Sequence, residues 1–100
     1  MDDLEFETWR RLYAVLELQD NIAAIRVRES STDGAVSVEV DGAGAPQVIS
    51  FTRTVSTMAP CEVEQLVAAS TDRAARRALA ERGGLVADFN EQFAPHTVVL

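Results

Sequence analysis

Three short runs of alternating apolar and polar residues sit between two segments of helical period, and this arrangement commits the chain to a mixed fold. Ile25, Val27 and Glu29 alternate with Arg26, Arg28 and Ser30, and Val36, Val38 and Val40 alternate with Ala35, Ser37 and Glu39. A third run covers 48–55, Val-Ile-Ser-Phe-Thr-Arg-Thr-Val. A period of two with apolar residues on alternate positions gives each strand one buried and one exposed face. Ser31-Thr32-Asp33-Gly34 and Asp41-Gly42-Ala43-Gly44 separate the runs, and glycine supplies the positive φ of a tight reversal. Three strands joined by two short turns make an antiparallel meander.

The flanking segments read as helices. Over 4–23, Phe6, Trp9, Tyr13 and Leu16 recur at three- and four-residue steps, with Leu12 and Ile22 widening the stripe. A stripe of this kind is expected to face the chain's own sheet. Asp2, Asp3, Glu5 and Glu7 suit the positive end of the first helix dipole. Pro60 suits the opening of the second helix, whose packing face is Val63, Leu66, Val67, Ser70 and Ala74. Gly83-Gly84 reads as its stop. Beyond it, 85–100 is too apolar for a free tail, with Phe89, Phe93 and Val98-Val99-Leu100, and Pro95 breaks any helix there. The expectation is an α+β fold in the order α-β-β-β-α. It divides into a domain over 1–84 and a docked C-terminal tail over 85–100.

One hundred residues make one domain with a limited core, so a homodimer is expected. Ile49 and Phe51 of the third strand and Val67 and Ala74 of the alanine-rich helix are the candidates for the shared surface. The chain carries sixteen acids against nine arginines and no lysine, a net charge of −7. This excludes a generic polycation for nucleic acid or anionic membrane. No apolar run approaches the roughly 18 residues of a membrane span, the first residues are acidic, and Cys61 has no second cysteine to pair with. The expected setting is the cytoplasm. Cys61 reads as a small, buried helix-start residue, and His96 lacks the companions of a zinc site or a general base. Gly42-Ala43-Gly44 is a hairpin turn and not a dinucleotide fingerprint. The reading is a non-enzymatic protein with no metal, cofactor or small-molecule substrate.

The one basic concentration is Arg73, Arg76, Arg77 and Arg82, a local net of +3 against Glu81, spaced to share much of one helix face. Three stretches in order resemble the YbaB/EbfC nucleoid-associated proteins. They are Ile22-Ala23-Ala24-Ile25-Arg26-Val27-Arg28-Glu29-Ser30, then Gly34-Ala35-Val36-Ser37-Val38-Glu39-Val40-Asp41-Gly42, then Leu66-Val67-Ala68-Ala69 with Asp72 and Ala74-Ala75-Arg76-Arg77. The resemblance implies a bacterial, cytoplasmic homodimer without a cofactor that binds DNA with low sequence specificity. Arg73, Arg76, Arg77 and Arg82 would then contact phosphate, with Arg10 and Arg11 as further candidates.

The first helix departs from the family pattern, being short, acidic and aromatic where relatives carry a longer Gln/Met/Lys-rich helix, and the tail is apolar. Relatives in actinobacteria also stand beside specialised secretion loci. The alternative reading is therefore a protein-interaction or assembly module that kept the fold and lost DNA binding. Its partner-binding candidates are Phe6, Trp9, Phe89 and Phe93.

Overall fold

A computed structural model describes residues 2–93. Helix α1 spans Asp3–Ala23 and opens on Asp2, whose carboxylate accepts the Glu5 N–H at 2.8 Å. Strands β1 (Arg26–Ser30), β2 (Val36–Asp41) and β3 (Pro46–Phe51) form an antiparallel sheet in the order β1-β2-β3. A 3₁₀ turn over Arg53–Thr57 leads into helix α2, Pro60–Phe93. This is the α-β-β-β-α order read from the sequence.

The core is the central strand under a helix of small residues. Val36, Val38 and Val40 of β2 are wholly buried, with Val27 and Ile25 beside them. Ser70, Ala74 and Ala78, at four-residue steps, form the buried side of α2 that lies on β1 and β2. Small side chains let the helix axis approach the sheet closely, and Leu66, Val67, Val55 and Met58 close the margin. Both turns are pinned by an aspartate. Asp33 accepts from the Ser31 hydroxyl at 2.7 Å and the Ala35 N–H at 3.0 Å, bonds that hold its carboxyl below the usual range. Asp41 accepts from the N–H groups of Ala43 and Ala45 at 2.9 and 3.0 Å.

Four expectations are corrected. The third strand stops at Phe51 and not at Val55: Thr52 donates to Ala35 at 2.9 Å, and beyond that β2 offers no partner, so the backbone turns. The second helix does not stop at Gly83-Gly84 but continues to Phe93. Neither glycine has a positive φ. The packing of Leu85 and Phe89 near Ala14 and Leu18 of α1 outweighs a propensity cost of about 1 kcal/mol per glycine. No residue of α1 is buried, because α2 already covers the sheet and α1 packs on the far half of α2. Cys61 is exposed. Of the expected tail, 85–93 is helix, and 94–100, with Pro95 and His96, lies outside the described residues.

The result is elongated, 68 × 31 × 15 Å, with a radius of gyration of 20.0 Å. A compact chain of this length has about 13 Å. Sheet and helix overlap over only part of α2, and the two helices run on together as an arm.

Gly42 and Gly83 separate packing from propensity. A Cβ on Gly42 would stand 2.7 Å from the Ile22 carbonyl oxygen, whereas one on Gly83 meets nothing within 4 Å. Gly42→Ala is expected to lower stability by about 1–3 kcal/mol, since backbone must shift to admit the methyl. Gly83→Ala is expected to raise it by about 0.5–1 kcal/mol. Urea denaturation midpoints measure both.

Candidate nucleic-acid interface

An edge strand leaves backbone carbonyls unpaired, and on β1 two of them are taken by arginines from α2. Arg73 donates to the Ser30 carbonyl at 3.0 Å and to the Ser70 hydroxyl at 3.3 Å. Arg77 donates to the Arg28 carbonyl at 3.3 Å and to the Glu29 carboxylate at 2.9 Å. The four-residue step between the two arginines matches the two-residue step between the two carbonyls. A helix rises about 6 Å over four residues, and a strand about 6.7 Å over two.

The other sequence candidates stand apart from this pair. Arg76 points outward, its side chain 79% exposed, and pairs with Asp72 at 3.0 Å. Arg82 lines a shallow pocket with Ile22, Ala23, Arg26 and the Asp41–Ala43 side of the second turn. Arg77 pairs with Glu29, not with Glu81, its neighbour on the helix. Arg10 and Arg11 lie on the arm, both bound to Glu7, at 2.9 and 3.5 Å. The Arg10 hydrogen bonds hold the Glu7 carboxyl below its usual range, and they raise the already high guanidinium value of Arg10. Arg10 also lies 4.9 Å from the ring centre of Phe93.

Two further arginines join the basic edge. Arg26 and Arg28 occupy the outer face of β1, opposite Val27. Arg28 donates to the Ser37 hydroxyl at 2.7 Å, and Arg26 to the carbonyls of Ala23 and Ile25. Neither forms an ion pair among the described residues. The signal for them was present in the Arg-Val-Arg alternation, where a buried valine fixes both arginines outward. Around β1 and the middle of α2 stand six arginines with three acids, Glu29, Asp72 and Glu81. The rest of the chain holds three arginines against thirteen acids.

The dimer candidates divide in the same way. Ile49 and Phe51 lie opposite Val38 and Val36 in the ladder, on the helix side of the sheet, yet both are exposed because α2 does not reach over β3. Val67 is half-buried, and Ala74 is wholly buried against its own sheet. The partner-binding candidates meet at the arm, where Phe6, Trp9 and Phe93 line one groove, while Phe89 faces Ala14 and Leu18. Among the described residues no three His, Cys, Asp or Glu side chains are placed to hold a metal ion. No described helix is long and apolar enough to cross a membrane.

Comparison with known proteins agrees with this layout. No curated protein matches the chain. The model of the YbaB/EbfC DNA-binding family matches residues 13–92, from the middle of α1 to the end of α2. That span takes in the whole sheet, the basic edge and both packed helix faces. The chain, with its capped β1 edge and its alanine-faced second helix, belongs to the YbaB/EbfC DNA-binding family.

Proposed function

We propose that this chain is a non-enzymatic, homodimeric, nucleoid-associated protein of the bacterial cytoplasm that binds duplex DNA with low sequence specificity. The family match carries this reading, and the basic edge of β1 and α2 gives it a physical basis. A guanidinium has five donors in a planar fork. Arg73 and Arg77 use some of theirs on the β1 edge, and Arg77 stays 57% exposed, with donors left for phosphate. Arg28 on the outer face of the sheet and Arg76 on the outer side of α2 flank this edge from its two sides, and Arg82 adds a separate cation towards the second turn. Phosphate contacts position a protein without reading bases, so a surface of arginines on a strand edge and a helix flank suits sequence-independent binding.

The two sheet edges differ in a way that favours β3 for the dimer. The β1 edge is occupied by Arg73 and Arg77, a form of edge protection. Every residue of β3 is exposed, including Val48, Ile49 and Phe51. Pairing β3 with β3 would join two sheets, set Ile49 and Phe51 of both copies side by side on one face, and leave the two basic edges at the outer ends. Val67 borders that surface from α2. Ala74 would support it from inside its own protomer.

Light scattering is expected to give twice the chain mass of 10.9 kDa. The double variant Ile49→Glu/Phe51→Glu should return to the single-chain mass while keeping its far-ultraviolet circular dichroism. A monomeric parent, or an unchanged dimer in the variant, would overturn the β3 interface.

On random-sequence duplex DNA at low salt, a mobility shift is expected that weakens steeply as salt rises. Arg76→Gln and Arg82→Gln leave the β1 clamp intact. Each should weaken binding equally on unrelated sequences and reduce the salt slope by roughly 0.9 for each phosphate no longer neutralised. No shift at tens of micromolar protein would instead leave the alternative, a module that keeps the fold and binds a protein.

A further inference from the structure

Helix α1 has two apolar faces, and α2 covers only one. Ala14 and Leu18 meet Leu85 and Phe89 across the arm. The second face carries Phe6, Trp9, Leu12, Tyr13 and Leu16, which are 60, 49, 45, 65 and 46% exposed. The Trp9 and Tyr13 rings stack at 6.0 Å, and with Phe6 and Phe93 they border an open groove of about 720 Å³ edged by Glu17. A contiguous apolar surface of this kind on a soluble chain marks a contact site.

The charge around the stripe selects its occupant. Residues 2–23 hold six acids and two arginines, and both arginines are already bound to Glu7. Glu17 and Asp20 form no ion pair among the described residues. Both lie towards the C-terminal end of α1, whose last turn holds Asp20 and no base. Asp20 opposes the dipole there, and a cation from outside would offset it. A second copy laid antiparallel on the stripe would set Glu5 against Glu17 and Asp20, acid against acid. DNA and anionic lipid are repelled for the same reason. From Phe6 to Leu16 the stripe is about 16 Å long, enough for some three turns of another helix, and Glu17 and Asp20 lie just beyond its end.

We propose that the Phe6–Leu16 stripe of α1 docks one amphipathic helix of a partner protein, with its apolar face on the aromatics and its flanking lysines or arginines against Glu17 and Asp20. Aromatic anchors inside a charged rim are the usual anatomy of such a contact. This surface is separate from the DNA edge and does not rest on it.

Trp9 is the only tryptophan, so its fluorescence reads the stripe directly. The test titrates the full chain with two synthetic 18-residue amphipathic peptides that share their leucine positions, one flanked by lysine and the other by glutamate. The lysine peptide is expected to saturate at one per chain at micromolar concentration and to move Trp9 emission to shorter wavelength. The glutamate peptide should not bind. Affinity for the lysine peptide should fall at least tenfold in Phe6→Ser/Tyr13→Ser and severalfold in Glu17→Gln/Asp20→Asn. Circular dichroism checks that each variant is folded.

Equal binding of both peptides, or parental affinity in either variant, would overturn the proposal. A halved mass in Phe6→Ser/Tyr13→Ser would assign the stripe to a second copy and overturn it as well. A tenfold tighter lysine peptide after removal of residues 94–100 would assign the stripe to that segment, with the same consequence. Mobility shifts on DNA with Phe6→Ser/Tyr13→Ser should match the parent, so failure here and failure of the DNA reading are told apart.

Discussion

The structure depends on burying one strand. Val36, Val38 and Val40 are wholly withdrawn from solvent under Ser70, Ala74 and Ala78. Each such valine contributes about 1.5–3 kcal/mol when fully removed from water. The gain requires α2 to lie close, and close approach forces the rest. Ala75 comes within 3.1 Å of where a Gly44 side chain would begin, and the end of α1 presses its Ile22 carbonyl against Gly42. Both glycines of the second turn therefore answer to helix packing as well as to chain reversal.

A helix about 10 Å wide on strands about 4.8 Å apart covers two strands well and a third poorly. Helix α2 takes β2 and β1, and the two sheet edges acquire opposite characters. On β1, Arg73 and Arg77 bond backbone carbonyls, so an edge open to further pairing becomes a row of cations. On β3, the described residues leave Ile49 and Phe51 exposed. The proposed DNA contact and the proposed dimer contact follow from this one asymmetry, in which a single helix is placed off the centre of a three-stranded sheet.

Local pattern was enough for the element order. The valine alternation of β2, the Asp-Gly turns and the Pro60 start are each read from a few adjacent residues, and each appears in the structure. What failed was decided at a distance. Gly83-Gly84 is a stop signal only while nothing beyond it packs, and Leu85 and Phe89 find α1 there. Val55 reads as strand, but a strand needs a neighbour, and β2 has ended by that point. The α1 stripe was expected to face the sheet because amphipathic helices usually do, yet sequence spacing carries no information on which helix reaches the sheet first. The arginine cluster shows the same limit. Arg73 and Arg77 were legible as one basic face, but their bonds to Ser30 and Arg28 span 43 and 49 residues. Arg26 and Arg28 were visible as strand residues and became part of the basic edge only once α2 was laid beside them.

The net charge of −7 thus describes no surface of the molecule. Acids dominate the arm and cations dominate the β1 edge, on a body 68 Å long. At physiological salt, charges separated by more than about 8 Å are largely screened from one another. The arm and the basic edge then act as two independent fields. On the proposed function, a duplex would be attracted at the β1 edge and repelled along α1, which would orient the chain as it approaches. The same repulsion would hold nucleic acid off the aromatic stripe and leave it for the proposed partner of opposite sign. Acidic residues that weaken overall affinity for DNA would in this way keep two ligands from competing for one surface.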